Sequence, residues 1–325
     1  MMMRQQDLLS LLDMLAAPDA PLDGHLGRWR FARVEGGENN LLYRATNDQT
    51  DLAIKFTARD ARDRAGREYA ALAALQRVGV PIAPAPLLLE RDRFAHLAVV
   101  QTWLDGWVTI RPPDTDSDWR QLLDHYVAIH RITPAQTELR LPSAVLTMTS
   151  AAAGRQRIRE QVQLIPDHAR AAPLLDLVGR AERATFTDWP TPSLTLCRCD
   201  PNTRNFIRRP DRWASVDWEN SGWGDPAFEL ADLMAHPTYA TVPSERWDWM
   251  IETYSASRAD RTVAERIRTY YTLSLVWWAA RFARMLYEIP RGLERQRLIK
   301  RPPTWQSDTE TKYTHYLDAA RASLP

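Results

Sequence analysis

Apolar positions along this chain follow two regimes. Up to about residue 103 they come in short runs rich in β-branched and aromatic residues, separated by turn formers. The runs Trp29–Val34, Leu41–Thr46, Leu52–Thr57 and His96–Trp103 therefore predict strands. Asp60–Val78 instead repeats at helical spacing, with Tyr69, Leu72 and Leu75 on one side and Gly79 as its stop. Pro81, Pro84 and Pro86 predict an irregular lead into an edge strand. Beyond residue 103 the pattern is helical over Asp118–Arg131, Ala151–Leu164, Asp167–Ala184, Glu245–Ser255, Ala259–Glu288 and Thr304–Ala320. Ser193–Trp218 interrupts these helices with a strand, a loop and a hairpin whose turn is Pro210-Asp211-Arg212. A first helix at about residues 5–16 is expected to dock on the strands. The expected class is α+β, with an antiparallel-sheet lobe carrying one main helix over residues 1–103 and a larger, mainly helical lobe over 104–325.

Composition narrows the class without naming a chemistry. A chain of 325 residues, 45% hydrophobic and 26% charged, can bury an ample core. Its net charge of +1 gives no bulk field toward nucleic acid or a membrane surface, so neither is expected as a partner. No apolar run is long enough to span a bilayer, and Asp7 and Asp13 break the apolar pattern of the first helix, which argues against a signal peptide. A cytoplasmic protein is expected. No repeat or low-complexity linker points to an obligate protein partner. Cys197 and Cys199 stand too close on one strand for an ordinary disulfide and predict buried, reduced thiols. No Cys/His set is spaced for zinc, and His125 and His130 read as surface or packing residues.

Charge identity is more telling than net charge. Of the 42 basic residues only three are lysine, and Lys55 is the only one before Lys300. It lies in the strand run Leu52-Ala53-Ile54-Lys55-Phe56. A chain so biased toward arginine has kept a lysine where a compact ammonium can reach between phosphates, which a planar guanidinium cannot do. Glu68, on the following helix, is positioned to hold that ammonium. Gly36 and Gly37 precede Asn39-Asn40 between two strand runs, where paired glycines let backbone N–H groups approach an anion. An ordinary hairpin turn would use the same residues.

Asp200, Asn205 and Asp217 supply the remaining parts of a phosphoryl-transfer site. The Asp-x-x-x-x-Asn spacing of Asp200 and Asn205 is that of a kinase catalytic loop, and Asp217 follows a short hairpin. Asp200 would take the proton of an attacking hydroxyl, while Asn205 and Asp217 would offer oxygens to magnesium on the nucleotide phosphates. The connector Gln101-Thr102-Trp103-Leu104 would read adenine through its backbone, at Gln101 and Trp103.

Over roughly residues 25 to 290 these motifs resemble the aminoglycoside phosphotransferase family, small-molecule kinases of protein-kinase-like fold. Gly36, Gly37 and Asn40 fit its glycine-containing loop. Val216-Asp217-Trp218-Glu219 and Gly224-Asp225-Pro226-Ala227-Phe228-Glu229-Leu230-Ala231 match its metal-binding strand end and the helix opening that follows. The family's His-Gly-Asp reads Arg198-Cys199-Asp200 here. That arginine could brace the loop through carbonyls or carboxylates, or lower the pKa of the base. The resemblance implies a two-lobed kinase using ATP, with GTP not excluded, and Mg2+. The departure at Arg198-Cys199 keeps open a nucleotide-binding pseudokinase with a regulatory or scaffold role. A protein kinase is disfavoured, because no activation segment fits between Asp217 and Asp225.

The acceptor leaves a fainter trace. From Asp217 to Glu245 there is no Lys or Arg, while Asp217, Glu219, Asp225, Glu229, Asp232 and Glu245 could draw in a cationic acceptor of the aminoglycoside or amino-alcohol type. Several of these carboxylates equally suit metal binding or the first turn of a helix. Trp218, Trp223, Trp277 and Trp278 offer an aromatic wall, or core packing. Arg291, Arg295, Arg297, Lys300 and Arg301 form a basic cluster that would suit an anionic acceptor, or solvent.

Overall fold

The computed structural model describes residues 5–34, 40–293 and 301–325. Six strands form one antiparallel sheet: β1 (Asp23–Leu26), β2 (Trp29–Val34), β3 (Asn40–Asn47), β4 (Thr50–Thr57), β5 (Pro86–Glu90) and β6 (Leu97–Thr102), in the order β1-β2-β3-β4-β6-β5. Alternation gives the sheet two apolar faces. On one, Trp29, Phe31, Tyr43, Ile54, Phe56 and Val100 pack against Leu8, Leu11, Leu12 and Leu15 of α1 (Gln5–Leu15), so the first helix docks on the strands as expected. On the other, Leu97 and Val99 meet Ala65 of α2 (Arg64–Arg77). The proline-led β5 lies at the sheet edge, where a missing N–H does no harm.

The rest is mostly helical. It comprises α3 (Asp116–Ile129), α4 (Pro134–Thr137), α5 (Ala151–Gln163), α6 (Ala172–Arg183), α7 (Pro226–Ala235), α8 (Ser244–Ala256), α9 (Val263–Glu288) and α10 (Trp305–Ser323). Helix α7 is buried along its whole length and, with α5 and α10, packs against the long α9. Two short strand pairs interrupt the helices: β7 (Thr195–Cys197) with β10 (Gly222–Gly224), and β8 (Phe206–Ile207) with β9 (Ala214–Ser215). Gly222 is required where it stands, since a Cβ there would lie 2.3 Å from the Pro142 carbonyl.

Three helices start later than periodicity predicts, each for a local reason. Asp63 caps α2, its carboxylate taking the Gly66 N–H, and it sits in the left-handed region at φ 48°. Pro173 fixes the first turn of α6, behind a separate 3-10 turn over Asp167–Ala169. Asp260 accepts the Thr262 N–H at 2.9 Å in a turn that holds off α9. No helix among the described residues is long and apolar enough to cross a membrane.

Candidate active site

Strand β4 delivers Lys55 to the α2 side of the sheet, where its ammonium is buried among three carboxylates. Glu68 on α2 accepts from it at 2.8 Å, Asp217 accepts directly, and Glu219 lies 3.5 Å away. Burial pulls the lysine pKa down, but the three negative charges outweigh it and hold that pKa well above its ordinary value. The predicted Lys55–Glu68 pair is therefore formed. Asn40, at the start of β3, donates its amide to Glu219 at 2.9 Å, which Arg64 also clasps. Gly36 and Gly37 lie outside the described residues.

Asp200 follows β7 and enters a tight turn, accepting the Asn202 N–H at 3.2 Å. The Val216 N–H donates to the Asn205 carbonyl at 2.9 Å, which sets Asn205 beside Asp217 across the hairpin. Asp217 holds the left-handed backbone at φ 62°, a strain of the sort that marks functional positions. Among the described residues, the Asn205 side-chain amide and Oδ2 of Asp217 carry no hydrogen bond. Two free oxygens of these types fit a hard divalent cation such as magnesium. Burial first, then the neighbouring Asp217, push the Asp200 carboxyl up to about 6, against the pull of Arg198. Asp217 is held below the ordinary range, because Lys55 outweighs its burial.

The two departures from the family motif have physical accounts. Arg198 is fully buried, stacks over Phe206 at 4.6 Å and donates Nη1 to the Val216 carbonyl at 3.3 Å, next to Asp217. It thus braces through a carbonyl, and its charge keeps the raised Asp200 carboxyl from rising further. Its Nε and Nη2 find no partner among the described residues, so its charge stays available to the carboxylates around it. Cys199 sits at φ 56°, a conformation that glycine adopts freely, and its thiol donates to the Leu146 carbonyl at 3.0 Å. Both cysteines are buried and unbridged, and burial pushes the Cys197 thiol well up.

Sequence reading missed the device that holds this loop. Glu229 on α7 accepts the backbone N–H of Arg198 at 2.6 Å and that of Cys199 at 2.8 Å. Its other oxygen meets His130 Nε2 at 2.7 Å, and His130 Nδ1 meets the Tyr254 hydroxyl at 2.8 Å. Of the two readings given for His125 and His130, surface or packing, the second holds: both are buried, and His130 backs the loop. The only sequence signal was the Gly-Asp-Pro motif, in which Glu229 looks like a first-turn helix acid.

The broad acidic surface inferred for a cationic acceptor is not present. Asp225 caps α7 and binds Arg266 at 2.9 Å and the Tyr270 hydroxyl at 3.0 Å, while Asp217, Glu219 and Glu229 serve the contacts above. Two remain: Glu245 is exposed in the first turn of α8 and takes the Ser244 hydroxyl at 3.4 Å, and Asp232 is buried and without a hydrogen bond among the described residues. Trp218 and Trp223 are core residues; Trp278 stacks on Phe282, and Trp277 lines a cavity with Asp232. Of the basic cluster, Arg291 bonds the Tyr287 carbonyl, Arg301 lies over Trp305, and Arg295, Arg297 and Lys300 fall outside the described residues. In the connector, Gln101 is paired within the sheet on both sides and the Trp103 N–H donates to the Asp51 carbonyl at 2.9 Å. The first connector N–H without a partner among the described residues is that of Leu104.

A six-stranded antiparallel lobe over a helical lobe, with this lysine, loop and hairpin at their junction, defines a kinase-like phosphotransferase fold. A sequence profile of the phosphotransferase enzyme family matches residues 30–270, and the chain belongs to that family. Comparison with curated protein sequences gives no significant match. Among solved structures, a spectinomycin phosphotransferase bound to ADP and spectinomycin is similar over 99% of each chain, at 13% identity and TM-score 0.64. A choline/ethanolamine kinase family protein from Mesorhizobium loti is similar over 97% of this chain and 98% of its own, at 18% identity and TM-score 0.61. A thermostable mutant of an aminoglycoside phosphotransferase, held with AMP-PNP and hygromycin B, covers 97% and 98% at 12% identity and TM-score 0.60.

Proposed function

We propose that this protein is an ATP- and magnesium-dependent O-phosphotransferase acting on a small hydroxyl-bearing acceptor of the aminoglycoside or amino-alcohol kind. The observation that carries this reading is the juxtaposition of Asp200, the free oxygens of Asn205 and Asp217, and the buried ammonium of Lys55. In this reading residues 1–103 hold the nucleotide and residues 104–325 supply the catalytic loop and acceptor site. Asp200 takes the proton of the acceptor hydroxyl, whose oxygen bonds to the γ-phosphorus as the bond to the bridging oxygen breaks and ADP leaves. A pKa of about 6 leaves Asp200 ionised at neutral pH yet basic enough to accept that proton. Lys55, released from Asp217 when nucleotide arrives, contacts the phosphates and stays fixed by Glu68. Asn205 and Asp217 would hold magnesium, which would supply charge neutralisation on the transferring phosphoryl group. The Leu104 N–H and the connector carbonyls read the base, which admits GTP as well as ATP. The members of this fold crystallised with ADP or AMP-PNP support nucleotide use. Its reduced thiols and its need for ATP suit the cytoplasm. No nucleic acid, membrane or obligate protein partner enters this account.

The second reading, a nucleotide-binding pseudokinase, rests on Arg198 and Cys199. It predicts MgATP binding without turnover on any acceptor. The deciding experiment is magnesium-dependent ADP release against aminoglycosides, amino alcohols, macrolides and sugars. Release stimulated by one class, and lost in both Asp200→Ala and Asp217→Ala, is expected. Full activity in Asp217→Ala would sink the assignment.

A further inference from the structure

Gln101 is buried near the end of β6 with an amide that nothing else holds. It is 4% exposed, its Oε1 is sealed from solvent without a partner, and its side chain makes no hydrogen bond among the described residues. Leaving a buried amide carbonyl unpaired costs its full desolvation, so an orphan of this kind points to a partner that arrives from outside. Register fixes the side it faces. Gln101 pairs with Ala53 of β4 and Val99 with Lys55, without a bulge between them. Paired and alternate residues of an antiparallel sheet share a face. Val99 packs on Ala65 of α2, and Lys55 bonds Glu68 of the same helix. Gln101 and Ala53 therefore lie on the Lys55 face, about 7 Å along the strands from Lys55 and Val99. Ala53 puts only a methyl group opposite Gln101, so no large side chain of β4 covers that stretch of the face.

The connector that follows supplies a second unpaired group. The Thr102 and Trp103 N–H groups bond the Ala85 and Asp51 carbonyls at 3.0 and 2.9 Å, whereas the Leu104 N–H has no partner among the described residues. The hairpin that carries Asn205 closes on the same connector, where the Trp107 N–H bonds the Arg208 carbonyl at 3.2 Å. The cleft with Lys55 and Asp217 at one end thus has, toward its other end, an unpaired acceptor and an unpaired donor.

We propose that Gln101 sets the choice of purine, its Oε1 taking the 6-amino group of adenine while the Leu104 N–H meets N1. The inference rests on the phosphotransferase reading above and narrows its nucleotide: ATP binds ahead of GTP. Adenine presents an acceptor at N1 and a donor at position 6, the complement of this pair. Guanine presents the reverse. Turning the Gln101 amide would satisfy guanine at position 6 but would leave its N1–H facing the Leu104 N–H.

The test is calorimetric binding of the magnesium complexes of ATP, GTP and purine riboside triphosphate, which keeps N1 but has hydrogen at position 6. The parent should bind ATP roughly threefold to tenfold tighter than purine riboside triphosphate, and roughly tenfold or more tighter than GTP. Gln101→Met keeps the length of the side chain and removes the acceptor. It should bind ATP and purine riboside triphosphate alike, the latter as the parent does, and its preference for ATP over GTP should shrink. A parent that binds ATP no better than purine riboside triphosphate, or no better than GTP, would overturn the proposal. So would a Gln101→Met protein that keeps the parent's margin for ATP, since water and not adenine would then meet the amide. An equal loss for all three nucleotides would mark Gln101 as structural and overturn it too. The same preparations are assayed for ADP release with the acceptor classes above. An ATP preference that depends on Gln101, without transfer to any acceptor, would support the inference and count against the phosphotransferase reading. Transfer with a nucleotide preference indifferent to Gln101 would do the reverse.

Discussion

Arg198 shows how one buried cation can restrain a neighbouring carboxyl while keeping its loop in place. Burial and Asp217 raise the Asp200 carboxyl to about 6, and Arg198 holds it from rising further. If Asp200 is the general base proposed above, it works only when ionised, so kcat/KM should climb with pH and level off above about 6. Arg198→Met removes the opposing cation and keeps the packing against Phe206. The acid limb should then move to higher pH, by roughly one unit. A limb that stays put would leave Arg198 with bracing alone. Asp232 gives a second residue-scale outcome. Its folded pKa, about 8, lies above the ordinary 3.8, so its ionisation opposes folding progressively as pH rises from about 4 to 8. Asp232→Asn should raise Tm at pH 8 and leave it nearly unchanged near pH 4, as measured by calorimetry. These residues were legible in sequence as types and spacings, but their environments were not. The arginine at 198 was visible as a departure; that it meets a carbonyl beside Asp217 depends on a hairpin closing.

At the scale of elements, β2, β3, β4 and β6 were read to within two residues, because alternation on a two-faced sheet is a strong signal, while the short, largely exposed β1 at Asp23–Leu26 was missed. Helix ends were read less well, because Asp63 and Asp260 satisfy backbone N–H groups outside the apolar periodicity. Helix α7 was seen only as a motif opening. Every position along it is buried, so it carries no polar stripe from which its task could be read. That task is to carry Glu229 beneath the loop of Arg198, Cys199 and Asp200. Burial would raise this carboxyl, but His130 and the backbone N–H groups outweigh burial and hold it below its ordinary range. Its contribution to stability is therefore present above the ordinary carboxylate pKa and is lost as pH falls through the lower folded value. Glu229→Ala strands two buried N–H groups and His130, and should cost about 2–4 kcal/mol at pH 7. Denaturant melts would measure the loss, and turnover should fall well beyond what the unfolded fraction explains. Wild-type turnover in a stable Glu229→Ala protein would show that the loop holds itself.

For the molecule as a whole, the joint between its two parts is apolar as well as ionic. Ala71, Leu72 and Leu75 of α2 share one core cluster with Ile129, Leu196, Trp218 and Trp223. Around it, Arg67 donates to the Ser143 carbonyl at 2.7 Å, and Asn40 and Arg64 both reach Glu219. Sequence patterning could not show this joint, since each contact links residues far apart in the chain and each member looks like ordinary core or solvated charge on its own. A shared core of this kind couples the stabilities of the parts it joins. Heating should therefore give one calorimetric transition, not one for the sheet and another for the helices. Trp218, with no exposed surface and its indole N–H on the Ser215 carbonyl at 3.0 Å, is the sharpest probe. Trp218→Ala should cost about 3–5 kcal/mol and lower that single transition as a unit. MgATP should raise the transition in the parent by an amount that grows with the logarithm of its concentration. If Trp218→Ala instead splits the melt in two, with MgATP shifting only one step, then the lobes fold independently. Nucleotide binding would then have to act on the acceptor lobe through the ionic contacts of Lys55 and Glu219 alone.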